Sequence, residues 1–127
     1  MQENHLFEYA VIRVVPRVER EEFLNVGVII YCKKPAFLKT TYTLDEQRLL
    51  SISPELDLED VRCHLAAFEQ IAHADPEGGP IAKLDIASRF RWLTAKRSTI
   101  VQTSAVHPGL CIDPQKTLEK LHMELVG

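Results

Sequence analysis

Two apolar runs stand close together near the start of the chain, and their spacing decides most of what it can become. Residues 7–15 (FEYAVIRVV) and 23–32 (FLNVGVIIYC) are dense in β-branched and aromatic side chains, which suit a pleated, half-buried surface. Pro16 closes the first run. The charged stretch between them, residues 17–22 (RVEREE), is too short for the crossover that a parallel pair needs, so the two runs are predicted to form an antiparallel hairpin. In the first run Phe7, Tyr9, Val11 and Val15 fall on one face, and Ala10, Ile12 and Val14 on the other. Apolar residues on both faces predict a central strand covered from two sides. Arg13 interrupts the first face, where a cation needs a carboxylate, a ligand or an escape to an edge. In the second run Asn25 and Gly27 share the face of Phe23, Ile29 and Tyr31. A glycine inside a strand marks a bulge or a close backbone approach, and Asn25 there either caps the irregularity or meets a ligand.

Beyond the hairpin the pattern changes. Pro35 breaks the chain, and residues 37–44 (FLKTTYTL) alternate enough for a third, more polar strand near an edge. Thr43 and Glu46 have capping-box spacing, which predicts a short helix over residues 44–51. Ser53-Pro54 is predicted to open a longer helix with a stripe of Leu58, Val61, Leu65, Phe68 and Ala72. Residues 74–80 (ADPEGGP) are a loop; residues 85–95 form a helix on Ile86, Phe90 and Leu93; residues 99–106 (TIVQTSAV) form a fourth strand. His107-Pro108-Gly109 then reads as a turn, and Asp113-Pro114 starts a last helix carrying Leu118, Leu121 and Leu125. The order implies an α+β fold: an antiparallel sheet of about four strands with helices packed mainly on one face, in a single domain over residues 1–127.

Composition narrows the function classes. With 46% hydrophobic and 26% charged residues, the chain can bury a core without staples. A net charge of -3 argues against a dedicated nucleic-acid binder. No apolar run approaches the ~20 residues that span a bilayer, and the start, MQENHLFEYA, lacks the basic and apolar regions of a signal peptide. Cys32, Cys63 and Cys111 cannot all pair within one chain, which suggests reduced thiols in a cytoplasmic protein.

Chemistry-bearing residues crowd into residues 89–109 (RFRWLTAKRSTIVQTSAVHPG), which hold Arg89, Arg91, Lys96, Arg97 and the only tryptophan, Trp92. Arg89, Trp92 and Lys96 fall away from the helix's apolar stripe. They would either stack a base while holding phosphate, with binding that weakens steeply in salt, or pack Trp92 against the C-terminal helix beneath cationic stems. Lys96 and Arg97 suit a helix C-terminus; alternatively Arg97 and Ser98 clamp an anion. Ser104 and His107 have the residue types of a nucleophile and a base, yet no GxSxG elbow accompanies them, so His107 reads rather as a turn cap. No GxGxxG, Walker, CxxC, HxxxH or HExxH pattern occurs, and neither a metal nor a cofactor is expected.

Two strings, YAVIRVVP followed by EEFLNVGVIIY, and RFRWLTAKRSTIVQTSAVHPGLCIDP, occur in this order and resemble the bacterial domain of unknown function 3037 family over essentially the whole chain. The departures sit around residues 74–84. The resemblance implies a small bacterial cytoplasmic protein, often encoded beside a HipA-like kinase gene, with no assigned activity and no established catalytic residue. Its motif falls on Arg13, Glu22, Asn25 and Gly27 in the hairpin, and on Arg89, Trp92, Arg97, Ser98, Ser104, His107 and Gly109 in the second string. The leading expectation is therefore a non-catalytic partner or regulatory module that binds a protein, plausibly that kinase. The alternative is an enzyme or sensor for an anionic small molecule or nucleotide. There Arg13 and Arg97 would hold the anion, Asn25 and Ser98 would orient it, and His107 would serve as acid or base.

Overall fold

The hairpin forms as its spacing predicts. In the computed structural model, which describes residues 4–126, strand β1 (His5–Val14) pairs antiparallel with β2 (Leu24–Cys32), and β2 with β3 (Phe37–Tyr42). The first three residues and Gly127 of the expected 1–127 domain lie outside the described residues. Helices α1 (Glu46–Ile52), α2 (Leu58–Ala72) and α3 (Ile86–Thr94) follow, then β4 (Val101–Thr103), β5 (His107–Cys111) and α4 (Pro114–Leu125). The sheet has five strands in the order β3-β2-β1-β4, with β5 also on β1, and every pairing is antiparallel.

The fourth predicted strand needs correction, because the chain does not turn at His107-Pro108-Gly109. Both β4 and β5 lie along the same edge of β1: Val101–Thr103 on Ile12–Val14, and His107–Cys111 on His5–Tyr9. Between these ladders Ala10 and Val11 face three residues, Ser104, Ala105 and Val106, so the expected turn is a strand that follows a β-bulge. Pro108 is tolerated because an edge strand leaves alternate backbone nitrogens unpaired. Gly109 lets the Phe7 ring lie against the strand, since a Cβ there would sit 2.5 Å from it and push the ring aside. A second bulge lies between β1 and β2. Ile12 pairs with Gly27 and Arg13 with Asn25, which leaves Val26 as the extra residue.

Alternation divides the hairpin between two cores. Ala10, Ile12, Val14, Ile29, Tyr31 and Leu38 pack beneath Leu49 of α1, Val61, Leu65 and Phe68 of α2, and Phe90 and Leu93 of α3. On the opposite face Phe7, Val28, Ile30, Cys32 and Cys111 meet Leu118 of α4, with Leu121 alongside. Three helices thus cover one face and α4 the other, which explains why β1 and β2 are apolar on both sides. Burial pushes the Cys32 thiol up, away from the thiolate range where cysteines react.

The last two helices start where predicted, at Asp85 and Asp113, while the first two starts shift from Thr43 and Ser53 to aspartates. Asp45, Asp57, Asp85 and Asp113 each accept backbone N–H bonds from the first turn of α1, α2, α3 and α4. Neither Thr43 nor Ser53 starts a helix, because a carboxylate nearer the apolar stripe supplies both the cap and the charge that the helix dipole favours. Among the described residues no helix is long and apolar enough to cross a membrane.

Candidate functional site

Helix α3 ends at Thr94, and the chain doubles back before entering β4. This return lays the Arg97 guanidinium over the Trp92 indole, 4.4 Å from its centroid, while an Arg97 Nη2 hydrogen reaches the Trp92 carbonyl. The pair stands at the mouth of a cleft of about 500 Å³ between α2, α3 and β4. Ala67, Phe68, Ile71, Leu93 and Val101 make its walls, with His64 and Thr99 at the margin. Desolvation lowers the Arg97 pKa from its ordinary value, and a guanidinium keeps its charge in proteins. Among the described residues the ion pairs involve Arg17, Arg20, Arg62, His64 and Lys120, and none involves Arg97. A half-buried cation without a carboxylate, set against an indole and an apolar wall, is the most distinctive polar feature in the 89–109 stretch.

The other members of that stretch go elsewhere. Arg89 turns to the end of α2, where its Nη1 donates to the carbonyls of Ile71 (3.2 Å) and Ala72 (2.8 Å) and its Nε to Leu84 (3.0 Å). It satisfies the Ala72 carbonyl that the helix leaves open and adds a second donor to the Ile71 carbonyl, which the Ala74 N–H also reaches, so the expected Arg89–Trp92–Lys96 platform lacks its first cation. Trp92 does not pack against α4, which lies across the sheet; it is 40% exposed beside Arg97. Ser98 is exposed and outside the cleft lining.

Ser104 is buried in the bulge between β4 and β5. Its Oγ accepts the Val11 N–H at 2.8 Å and donates to the Ala105 carbonyl at 2.9 Å, while its own N–H bonds the Val11 carbonyl. A hydroxyl so committed repairs a broken ladder. Ser104→Ala leaves the Val11 N–H buried without an acceptor, and the expected cost is about 1–3 kcal/mol, read as a lower urea midpoint with an unchanged slope. His107 is exposed, its ring centroid 5.4 Å from that of Tyr9.

In the hairpin Arg13 and Asn25 sit directly opposite one another across β1 and β2, on the face that α4 covers. The Arg13 guanidinium lies 4.0 Å from the Phe23 centroid, and its Nε is buried without a partner. Asn25 does cap, but the object is not the bulge: its Nδ2 donates to the Leu125 carbonyl in the last turn of α4, at 3.3 Å. Glu22 pairs with Arg20 in the exposed connection. Arg13, Asn25 and His107 therefore belong to one side of the sheet, and Arg97 opens on the other. Among the described residues the four are split between the two faces, so the arrangement in which two arginines grip one anion beside His107 is not formed.

Sequence reading missed two sets of residues. His64, Ala67 and Phe68 complete the Arg97 cleft from α2, a helix read only for its buried stripe. On the other side a groove of about 550 Å³ runs beside α4, where Asn25, a candidate from the sequence, is joined by the unforeseen Thr43, Asp45, Arg48, Glu119 and His122 among others, with Thr43 Oγ1 2.9 Å from His122 Nε2. The added residues come from two segments distant from Asn25 and from each other, and nothing local to either announces the groove. Among the described residues no three His, Cys, Asp or Glu side chains gather as a metal site would require.

The chain matches the model of the family described as protein of unknown function, DUF3037, over residues 9–126. It belongs to that family. No curated protein and no solved structure matches it. The DUF3037 match spans the bulged β1–β2 hairpin, the Arg97 cleft and the groove beside α4, so the family extends over both faces of the sheet.

Proposed function

We propose that this DUF3037 chain is a cytoplasmic, non-catalytic module that binds another protein, and that its partner is a HipA-like kinase. The supporting observation is the bare end of the sheet. Helices α1, α2 and α3 cover the large core only from Ala10 onward. Beyond it, Leu6 of β1 stands directly opposite Leu110 of β5, and Ile112 lies just past the end of that strand. These side chains are 65%, 68% and 51% exposed, an apolar strip of the kind that marks an interaction surface in a soluble protein. Pro108 deprives the free edge of β5 of one donor, so a partner would meet the face of the sheet rather than extend it. The kinase is the partner that the family resemblance implies.

Co-expression with the kinase encoded beside the gene tests the reading. The two are expected to co-purify as a stoichiometric complex, and Leu110→Asp is expected to abolish that complex. As a substitution at an exposed site, it should alter stability by no more than about 0.5 kcal/mol. If the unmodified pair fails to associate, or the Leu110→Asp chain is retained equally well, the proposal is wrong.

A further inference from the structure

We infer that the cleft between α2, α3 and β4 is a binding site for a small anion carried on a flat apolar body, such as an aromatic carboxylate or a nucleoside monophosphate, with Arg97 as the anion-holding group and Trp92 as the stacking surface. This inference is independent of the bare sheet end, which lies beyond the part of the core that the helices cover.

The argument starts from what Arg97 lacks. A guanidinium offers five N–H donors in a planar fork, and this one uses a single nitrogen, Nη2, on the Trp92 carbonyl. No carboxylate of the described residues pairs with it, although the surrounding apolar walls have already removed part of its water. Desolvating a cation without pairing it is unfavourable, and the remaining fork is well suited to an oxyanion. Stacking on the indole holds the fork in place, so little further ordering is needed when a ligand arrives.

The cleft also decides what the anion must carry. Its lining beyond Arg97 is mostly hydrocarbon: Ala67, Phe68, Ile71, Leu93 and Val101, with the indole half open to solvent. Free phosphate would leave that surface wet, and a neutral ring would leave the guanidinium unpaired. Only a ligand with both parts uses both halves. A volume of about 500 Å³ lies within the range of small-molecule pockets. Nucleic-acid binding is disfavoured, since Arg89 is held by the end of α2 and the net charge is -3.

Trp92 is the only tryptophan, so its emission reports this cleft and nothing else. The purified chain is titrated with benzoate and with adenosine monophosphate, and in parallel with adenosine and with inorganic phosphate. Benzoate, the monophosphate or both should change the emission saturably, while adenosine and phosphate bind at least about tenfold more weakly, as expected when one half of a paired contact is missing. A response to benzoate alone assigns a carboxylate ligand, and to the monophosphate alone a phosphate ester. Arg97→Gln is expected to weaken binding about tenfold or more, whereas Arg91→Gln, on the exposed side of α3, leaves it unchanged. Ala67→Phe fills the cleft from an exposed position on α2 and should block binding with the cation still present, which decides the matter if Arg97→Gln fails to fold. Silence towards both two-part probes overturns the inference, as does an Ala67→Phe chain that binds like the parent.

Discussion

Gly27→Ala is expected to destabilise the native sheet severely. A Cβ at this position would lie 2.2 Å from the Thr41 carbonyl oxygen and 2.8 Å from Cβ of Tyr42. The first of these is backbone, so no rotamer change relieves the clash. Gly27 pairs with Ile12 on one side and Tyr42 on the other, at the centre of the sheet and next to the bulged Val26. Its neighbours are therefore held from both directions, and β3 would have to move away from β2. Overpacking a well-filled core costs about 1–3 kcal/mol and sometimes more. With backbone as the obstacle, a loss of roughly 3–5 kcal/mol is expected, a large share of the 5–15 kcal/mol that stabilises an ordinary domain. Urea unfolding followed by circular dichroism measures it. A midpoint close to the parental one would show that β2 and β3 are not packed as described.

That glycine was legible in the sequence, and so were the hairpin, the two-sided burial of β1, the apolar stripe of α2 and the Leu118–Leu121 part of that of α4, where Val126 rather than Leu125 completes the contact. Each depends on periodicity within one segment, which tertiary packing reinforces. The residue's closest obstacle was not legible, because it comes from β3, a strand whose register no local pattern specifies. The 89–109 stretch shows the same limit from the other side. Its residues are neighbours in sequence, but they pass from a helix into a return and then through a bulged strand. Successive side chains are consequently delivered to α2, to the cleft, into the plane of the sheet and to the face of α4. Arg97 and Trp92 stay together only because the chain doubles back between them and β4. The missed β5 strand has a different cause: Pro108 and Gly109 are turn residues by composition, and only the edge position and the Phe7 ring make them strand residues here.

Arg89 carries the second large effect. Sequence placed it in a candidate site; the structure makes it the clasp at the end of α2, joining that helix to the segment that leads into α3. Removing the guanidinium takes a donor from three carbonyls: Ala72 and Leu84, for which it is the donor described, and Ile71, which keeps only the Ala74 N–H at 3.2 Å. Hydrogen bonds to a charged donor contribute about 1.5–3 kcal/mol each, and water can replace part of what is lost at a half-exposed position, so Arg89→Ala should cost roughly 2–4 kcal/mol in total. Arg89→Lys should recover only a fraction, since an ammonium cannot reach Ile71, Ala72 and Leu84 with one planar fork. Hydrogen exchange separates this role from a binding role. In the alanine variant, amides in the last turn of α2 and the loop after it should lose protection first, while Trp92 emission still responds to the two-part anions. If protection and stability survive and the emission response disappears, Arg89 belongs to the ligand site, and the clasp would be incidental.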